Sequence, residues 1–208
     1  MTRAGHHTMM GGMQRIQWLG FTGTQCVDTG IVPNANTDVE AVAQMTDHGY
    51  INTVVCGGTG YRNNELLICH NLATSDSVLY EKGSDPDAVR CRFADIYDFG
   101  IHKYSIVGNA GYFDSSLLGN WSTTALSTSY AVFIGAYNRS GSVNEFLHGR
   151  IFSVKFWQAG VLVRDFVPVR SGSAGGLLDR VTHTLFGNAG SGSFVCGPDG
   201  SYQQGGGG

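Results

Sequence analysis

The sequence predicts an all-β fold, a two-sheet antiparallel sandwich in one domain. Three observations predict it. Short runs of alternating apolar and polar residues recur about every 8–12 residues, separated by Gly- and Asn-rich turns. Glycine, at 31 of 208 residues, is about twice its usual share. Most glycines sit between apolar runs, where tight turns need them. Charged residues make up only 14%, which argues against long salt-bridged helices, and no extended amphipathic helical pattern is found.

The elements follow in order. Residues 16–21 alternate roughly, residues 22–25 read as a turn, and residues 26–32 form the next run, ended by Pro33-Asn34. Residues 37–45 alternate with period two: Val39, Ala41, Ala43 and Met45 share one face, and Asp38, Glu40 and Gln44 the other with Val42. Strands are predicted over 51–56 and 65–70 around a Gly/Asn-rich loop, then over 77–81, 89–93 and 102–107, and at 112–114. Residues 130–137 are strongly apolar and read as a central strand. Residues 150–157 alternate, and a tight turn at Gln158-Ala159-Gly160 leads to a last strand over 161–169. In that strand Pro168 has no N–H for a ladder, which predicts an outer strand or a strand end.

Domain bounds follow from composition: a flexible leader over 1–14, the sandwich over 15–197 and a Gly-rich flexible tail over 198–208. A chain this long buries roughly 70% of its unfolded surface, so it needs no staples. The net charge of −3, with no Lys/Arg run, argues against nucleic-acid partners. No apolar run reaches the length of a membrane span, and the polar start reads as no signal peptide. The five cysteines, Cys26, Cys56, Cys69, Cys91 and Cys196, are odd in number and show no Cys-x-x-Cys spacing. They read as small buried hydrophobes in a chain folded under reducing conditions; one or two disulfides are the alternative for a secreted protein.

Two stretches carry a family resemblance. One is Gly149-Arg150-Ile151-Phe152-Ser153-Val154-Lys155-Phe156-Trp157 followed by Gly160-Val161-Leu162-Val163-Arg164-Asp165-Phe166-Val167-Pro168-Val169-Arg170, then Gly176-Leu177-Leu178-Asp179 and the Gly-rich run from Phe186 to Phe194. The other is Thr22-Gly23-Thr24-Gln25-Cys26-Val27-Asp28-Thr29-Gly30-Ile31. Together they resemble the closing and opening segments of concanavalin-A-like (laminin-G-like) modules found in bacteriophage virion proteins and gut-bacterial surface proteins. The resemblance implies a jelly roll of two antiparallel sheets, but no one ligand, because fold is not function. Pairing of the first and last strands would close the sandwich, and Asn188-Ala189-Gly190 offers positive-φ turn positions.

Little in the sequence points to catalysis. Glycosidases need two carboxylates across a cleft. The laminarinase-like pattern Glu-x-Asp-x-x-Glu is missing, and the nearest pairs, Asp38/Glu40 and Asp95/Asp98, read as a solvated strand face and as turn chemistry. No nucleophile elbow, zinc spacing or phosphate loop is found. Calcium is the one cofactor left open, with Asp85, Asp87 and Asp114 as its candidate loop oxygens.

Sugar binding needs aromatic faces for stacking and planar polar groups for hydrogen bonds. Tyr61, Arg62 and Asn63, then Trp121, then Tyr137, Asn138 and Arg139 supply that mixture in loops. The resulting expectation is a non-catalytic carbohydrate-binding or adhesion module on a virion surface (a tail fibre or head decoration) or other extracellular assembly. Its expected partners are a cell-surface glycan, neighbouring assembly proteins and further copies of itself, whose repetition would supply avidity. A purely structural decoration domain is the alternative, and a glycoside hydrolase the third reading.

Overall fold

The computed structural model describes residues 12–47, 52–60, 63–71, 77–83, 91–93, 99–120 and 125–203. Their strands, in chain order, are β1 Met13–Arg15, β2 Leu19–Thr22, β3 Val27–Asp28, β4 Thr37–Met45, β5 Asn52–Gly60, β6 Asn63–Asn71, β7 Ser77–Gly83, β8 Cys91–Phe93, β9 Ile101–Val107, β10 Ala110–Phe113, β11 Ser116–Asn120, β12 Phe133–Ile134, β13 Tyr137–Arg139, β14 Ser142–Asn144, β15 His148–Gln158, β16 Val161–Ser171, β17 Ala174–Asp179, β18 Thr184–Phe186 and β19 Val195–Cys196. No α-helix occurs among the described residues.

The strands form two sheets. The larger runs β11-β10-β9-β4-β15-β16-β17-β18, with β1 on β16, β2 on β15 and β19 on β2. The smaller runs β14-β13-β5-β6-β7-β8, with β12 on β5 and β3 on β12. Val39, Ala41, Ala43, Val154, Phe156 and Phe166 of the large sheet share one core with Leu66, Ile68, Val78 and Tyr80 of the small sheet. The alternation in β4 therefore orients that strand as its sequence predicts. Polar ties cross between the sheets at the rim. Lys82 Nζ donates to Asp38 at 3.3 Å and to the Gly108 carbonyl at 2.9 Å, and Tyr80 Oη donates to the Tyr112 carbonyl at 2.8 Å.

The β15–β16 hairpin closes at Ala159 and Gly160, both at positive φ (50° and 78°), as a two-residue primed turn requires. Beyond it the two strands diverge. β2 fills the split along β15 (Gly149↔Phe21, Ile151↔Leu19) and β1 fills it along β16 (Arg15↔Val169). β16 is consequently an interior strand, with β17 on its other side, and not the outer strand that Pro168 suggested. The proline is tolerated because it lies at the split, where its carbonyl accepts the Ile16 N–H at 3.2 Å and no ladder partner asks for a donor.

Three further expectations change. The apolar stretch 130–137 is not one central strand. Its chain turns at Gly135 (φ +77°), so β12 runs antiparallel to β5 and β13 parallel to it. Val132, Ile134 and Ala136 are fully buried, so the apolar pattern reflected burial, not extension. In the closing run the positive φ falls at Gly192, not at residues 188–190. Gly190 is instead needed for close approach, since a Cβ there would lie 2.2 Å from the Thr24 carbonyl oxygen. Finally, the sandwich takes in residues assigned to leader and tail. Met13 and Gln14 are in β1, and Pro198 and Gly200 hydrogen-bond the backbone of Gln17 and Arg15, while Tyr202 packs on Phe152 at 4.5 Å. The last strand, β19, pairs with β2, while the first, β1, pairs with β16.

Candidate functional site

A shallow, open recess lies on the large sheet's outer face, and strand register builds it. Leu19 and Phe21 enter the core, so Trp18, Gly20 and Thr22 face outward. Gly20 is paired with Val195 on one side and Arg150 on the other, and Arg150 is paired with Gln44. The result is a lateral row of side chains, Val195, Arg150 and Gln44, with none at Gly20. Val195 and the Trp18 ring close over Gly20, and an open recess of about 190 Å³ remains beside them, lined by Trp18, Gly20, Phe21, Thr22, Thr46, Gly149, Arg150 and Val195. A Cβ on Gly20 would sit 3.0 Å from Val195 Cβ and 3.1 Å from Trp18 Cζ3.

The polar groups of the groove are held in place. The Arg150 guanidinium lies over the Trp18 indole, 4.4 Å from the ring centroid. Its Nη1 donates to Gln44 Oε1 at 3.1 Å, and Gln44 Nε2 donates to the Phe99 carbonyl at 2.6 Å. This relay orients the amide, and the amide orients the guanidinium. Thr22 and Thr46 line the same groove; the Thr22 hydroxyl donates to Gln25 Oε1 at 3.2 Å and accepts from Gln25 Nε2 at 3.0 Å, while the Thr46 hydroxyl can donate or accept. The recess thus brings together an indole, a guanidinium and threonine side chains.

The residues chosen from sequence fare differently. Tyr61, Arg62, Trp121, Asp85 and Asp87 lie outside the described residues, as do Asp95 and Asp98, and Asn63 is described only as the first residue of β6. The stretch Tyr137-Asn138-Arg139 is a strand, not an exposed loop, and this corrects its reading as a stacking platform. Tyr137 is buried over Gly57 and donates its hydroxyl to Glu65 Oε1 at 3.1 Å, so no sugar can stack on it. Asn138 is buried and braces the backbone, donating to the Ala131 carbonyl at 2.9 Å and accepting the Gly141 N–H at 3.0 Å. Arg139 covers the Tyr137 ring at 5.4 Å and reaches toward Glu145 at 3.9 Å. None of the three lines the groove.

Asp114 sits in a turn at φ 46°. Its Oδ2 is 2.6 Å from His102 Nδ1 and its Oδ1 accepts the Lys103 N–H at 2.8 Å, so both oxygens already have partners. Among the described residues no group of three or more His, Cys, Asp or Glu side chains is placed to hold a metal ion. Asp38 and Glu40 are not simply solvated: Asp38 takes Lys82, and Glu40 lies 3.8 and 3.7 Å from Lys103 and Lys155. Sequence reasoning missed Glu65 and Glu81, which are buried on the small sheet's outward-facing side with Leu67 and Cys69. Cys26, Cys56 and Cys196 are free thiols. Burial pushes the Cys56 thiol up to about 12, and burial with Asp28 nearby pushes Cys26 up to about 11, which leaves both un-ionised and poor nucleophiles at neutral pH.

Sequence reasoning also missed Trp18 and Arg150. The legible signals were a glycine inside a strand pattern at Gly20, which marks a bulge or a close approach, and a tryptophan beside it.

No protein-family model matches the chain, and no curated protein matches it in sequence. Among solved structures it is similar to a "putative carbohydrate binding protein" from Bacteroides ovatus ATCC 8483, with a TM-score of 0.63 at 10% identity. The match covers 91% of this chain and 62% of that one, so this chain spans less than two thirds of that protein's length. At such low identity the likeness shows a shared all-β sandwich fold.

Proposed function

We propose that this chain is a non-catalytic carbohydrate-binding module of the concanavalin-A-like kind, and that the Trp18–Arg150 groove is its sugar site. The observation that carries the reading is the juxtaposition of indole, guanidinium and threonine side chains around the recess beside Gly20. A hollow of about 190 Å³ admits one sugar ring, so a single site binds weakly. Display in many copies, on a virion or another surface assembly, then converts weak sites into firm attachment to a glycan-coated cell. The fold shared with the Bacteroides ovatus protein supports this reading.

The test is binding of the folded domain to arrayed glycans and bacterial surface polysaccharides, repeated with Trp18→Ala and with EDTA. Specific binding that Trp18→Ala abolishes supports the reading and its site. Loss in EDTA adds a calcium ion. Silence across the array sinks the reading.

A second reading, a structural decoration domain, is favoured by the sheet edges. β11 and β18 end the large sheet's path and expose Leu117 and Leu185, which suits edge contacts with another protein chain. Concentration-dependent assembly abolished by Leu117→Lys, together with silence on glycans, is the outcome that selects it.

A further inference from the structure

Arg139, Arg164, Arg170 and Arg180 each face a carboxylate: Glu145, Asp179, Asp199 and Asp165. Two of the described arginines make no ion pair. Arg15 lies away from the groove, where burial and the charge of Arg180 outweigh that of Asp165; the other is Arg150, in the groove. Arg150 has no such partner; its contacts are Gln44 Oε1 and the Trp18 ring. An arginine carries five N–H donors, and the Gln44 bond uses one of them. The remaining donors belong to a side chain that lines the groove.

The cost of this arrangement is informative. A half-buried guanidinium held over an indole by a two-link relay gives up hydration and side-chain freedom. A neutral sugar hydroxyl would be served as well by glutamine or asparagine. A planar fork fixed in direction suits a planar anion, which it can grip through two parallel N–H···O bonds. Gln44 contributes only neutral groups, and Thr22 and Thr46 add hydroxyls, so the groove's formal charge is a single positive one.

From this we infer that the groove takes an acidic sugar, with the ring carboxylate of a hexuronate on Arg150. This rests on the sugar-binding reading and sharpens it to one ligand class. A uronate brings the carboxylate that Arg150 lacks, and Thr46 offers a hydroxyl on the same recess.

The experiment is calorimetric titration of the folded domain with oligogalacturonate and oligoglucuronate, and with the same oligomers after reduction of their carboxyl groups to neutral alcohols. Binding of an acidic oligomer, weakened on the order of 10- to 100-fold by carboxyl reduction, is expected from one charge-assisted pair. Arg150→Ala should give the same loss, Arg150→Lys a smaller one, and Arg180→Ala none. Raising the salt concentration should weaken the acidic oligomer and leave any residual neutral binding in place. If reduced and acidic oligomers bind alike, the uronate inference fails while sugar binding stands. If no oligomer of either kind binds a domain shown folded by its unfolding transition, the inference falls. Neutral glycans from the array binding the same protein would then save the broader reading, and silence there would remove both. The reduced-ligand arm does not depend on any variant folding.

Discussion

Two arginine-bearing regions of the large sheet treat charge in opposite ways. At the β16–β17 corner, Asp179 is fully buried and saturated. Its Oδ1 accepts the Asp165 and Val181 N–H groups at 2.9 and 3.0 Å, its Oδ2 accepts the Thr182 hydroxyl at 2.6 Å, and Arg164 lies 3.6 Å away. Next to it Arg180 Nε donates to Asp165 Oδ2 at 2.9 Å. In the Arg150 groove, by contrast, the guanidinium is aimed by a neutral amide and left without a counter-charge. The corner spends its charges on fixing a turn. The groove holds one in reserve. The difference lies in whether the fold itself supplies the anion: at the corner it does, and in the groove it does not.

The largest effect that could break this contrast is on stability at the corner. Asp179→Ala should destabilise the fold by about 3–5 kcal/mol, because it strands two buried N–H donors, a hydroxyl and the neighbouring arginine. Denaturant unfolding measures it, and a loss under 1 kcal/mol would mean the corner is not structural. The pH dependence follows from the same contacts. Burial alone would raise the Asp179 pKa, but the hydrogen bonds from Thr182, Asp165 and Val181 and the charge of Arg164 together hold it below the ordinary carboxylate value. A folded pKa below the unfolded one gives stability that is full above the unfolded pKa and is lost as the pH falls through the folded one. Acid titration of unfolding free energy should show that loss in the acid range, and Asp179→Asn should flatten it.

Gly135→Ala should cost about 2–4 kcal/mol, because it places a Cβ at positive φ and 2.3 Å from the Phe21 ring. In the groove the effect should appear in binding, not in stability. Arg150→Ala should lower stability by about 1 kcal/mol or less, the worth of a half-exposed cation–π contact, while removing most of the affinity. A stability loss as large as that of Asp179→Ala would make Arg150 a structural residue and erase the contrast. Gln44→Ala, which frees the guanidinium without removing it, should weaken binding only a few-fold. Its check is the same titration, with an unchanged Tm.

The strands were legible where one face of a sheet is buried. β4 and the β15–β16 pair show period-two alternation, and Ala159-Gly160 shows the turn that joins the latter. The stretch 130–137 was misread because burial on both sides erases alternation, and only Gly135 betrays the bend. Pro168 misled because a proline in mid-strand implies an edge unless another strand leaves a gap at that residue, and β1 and β15 leave one. The site was the least legible part. Tyr137 and Asn138 have the composition of a sugar-binding loop, yet pairing of β13 with β5 buries both.

Local chemistry in the chain sufficed for the β class, the approximate strands, the hairpin turn and the shortage of catalytic carboxylate patterns, because periodicity and turn preference act over a few neighbouring residues. The groove needed the folded molecule. Trp18, Gly20, Gln44, Arg150 and Val195 come from β19, β2, β15, β4 and the residue preceding β2. Only the register of three strand pairs sets Gly20 between Val195 and Arg150 and lets Trp18 close over it beside the recess. The same holds for charge. Composition counts the arginines, but which of them meets a carboxylate is decided by pairings across the sheet, and that distinction is what sets Arg150 apart.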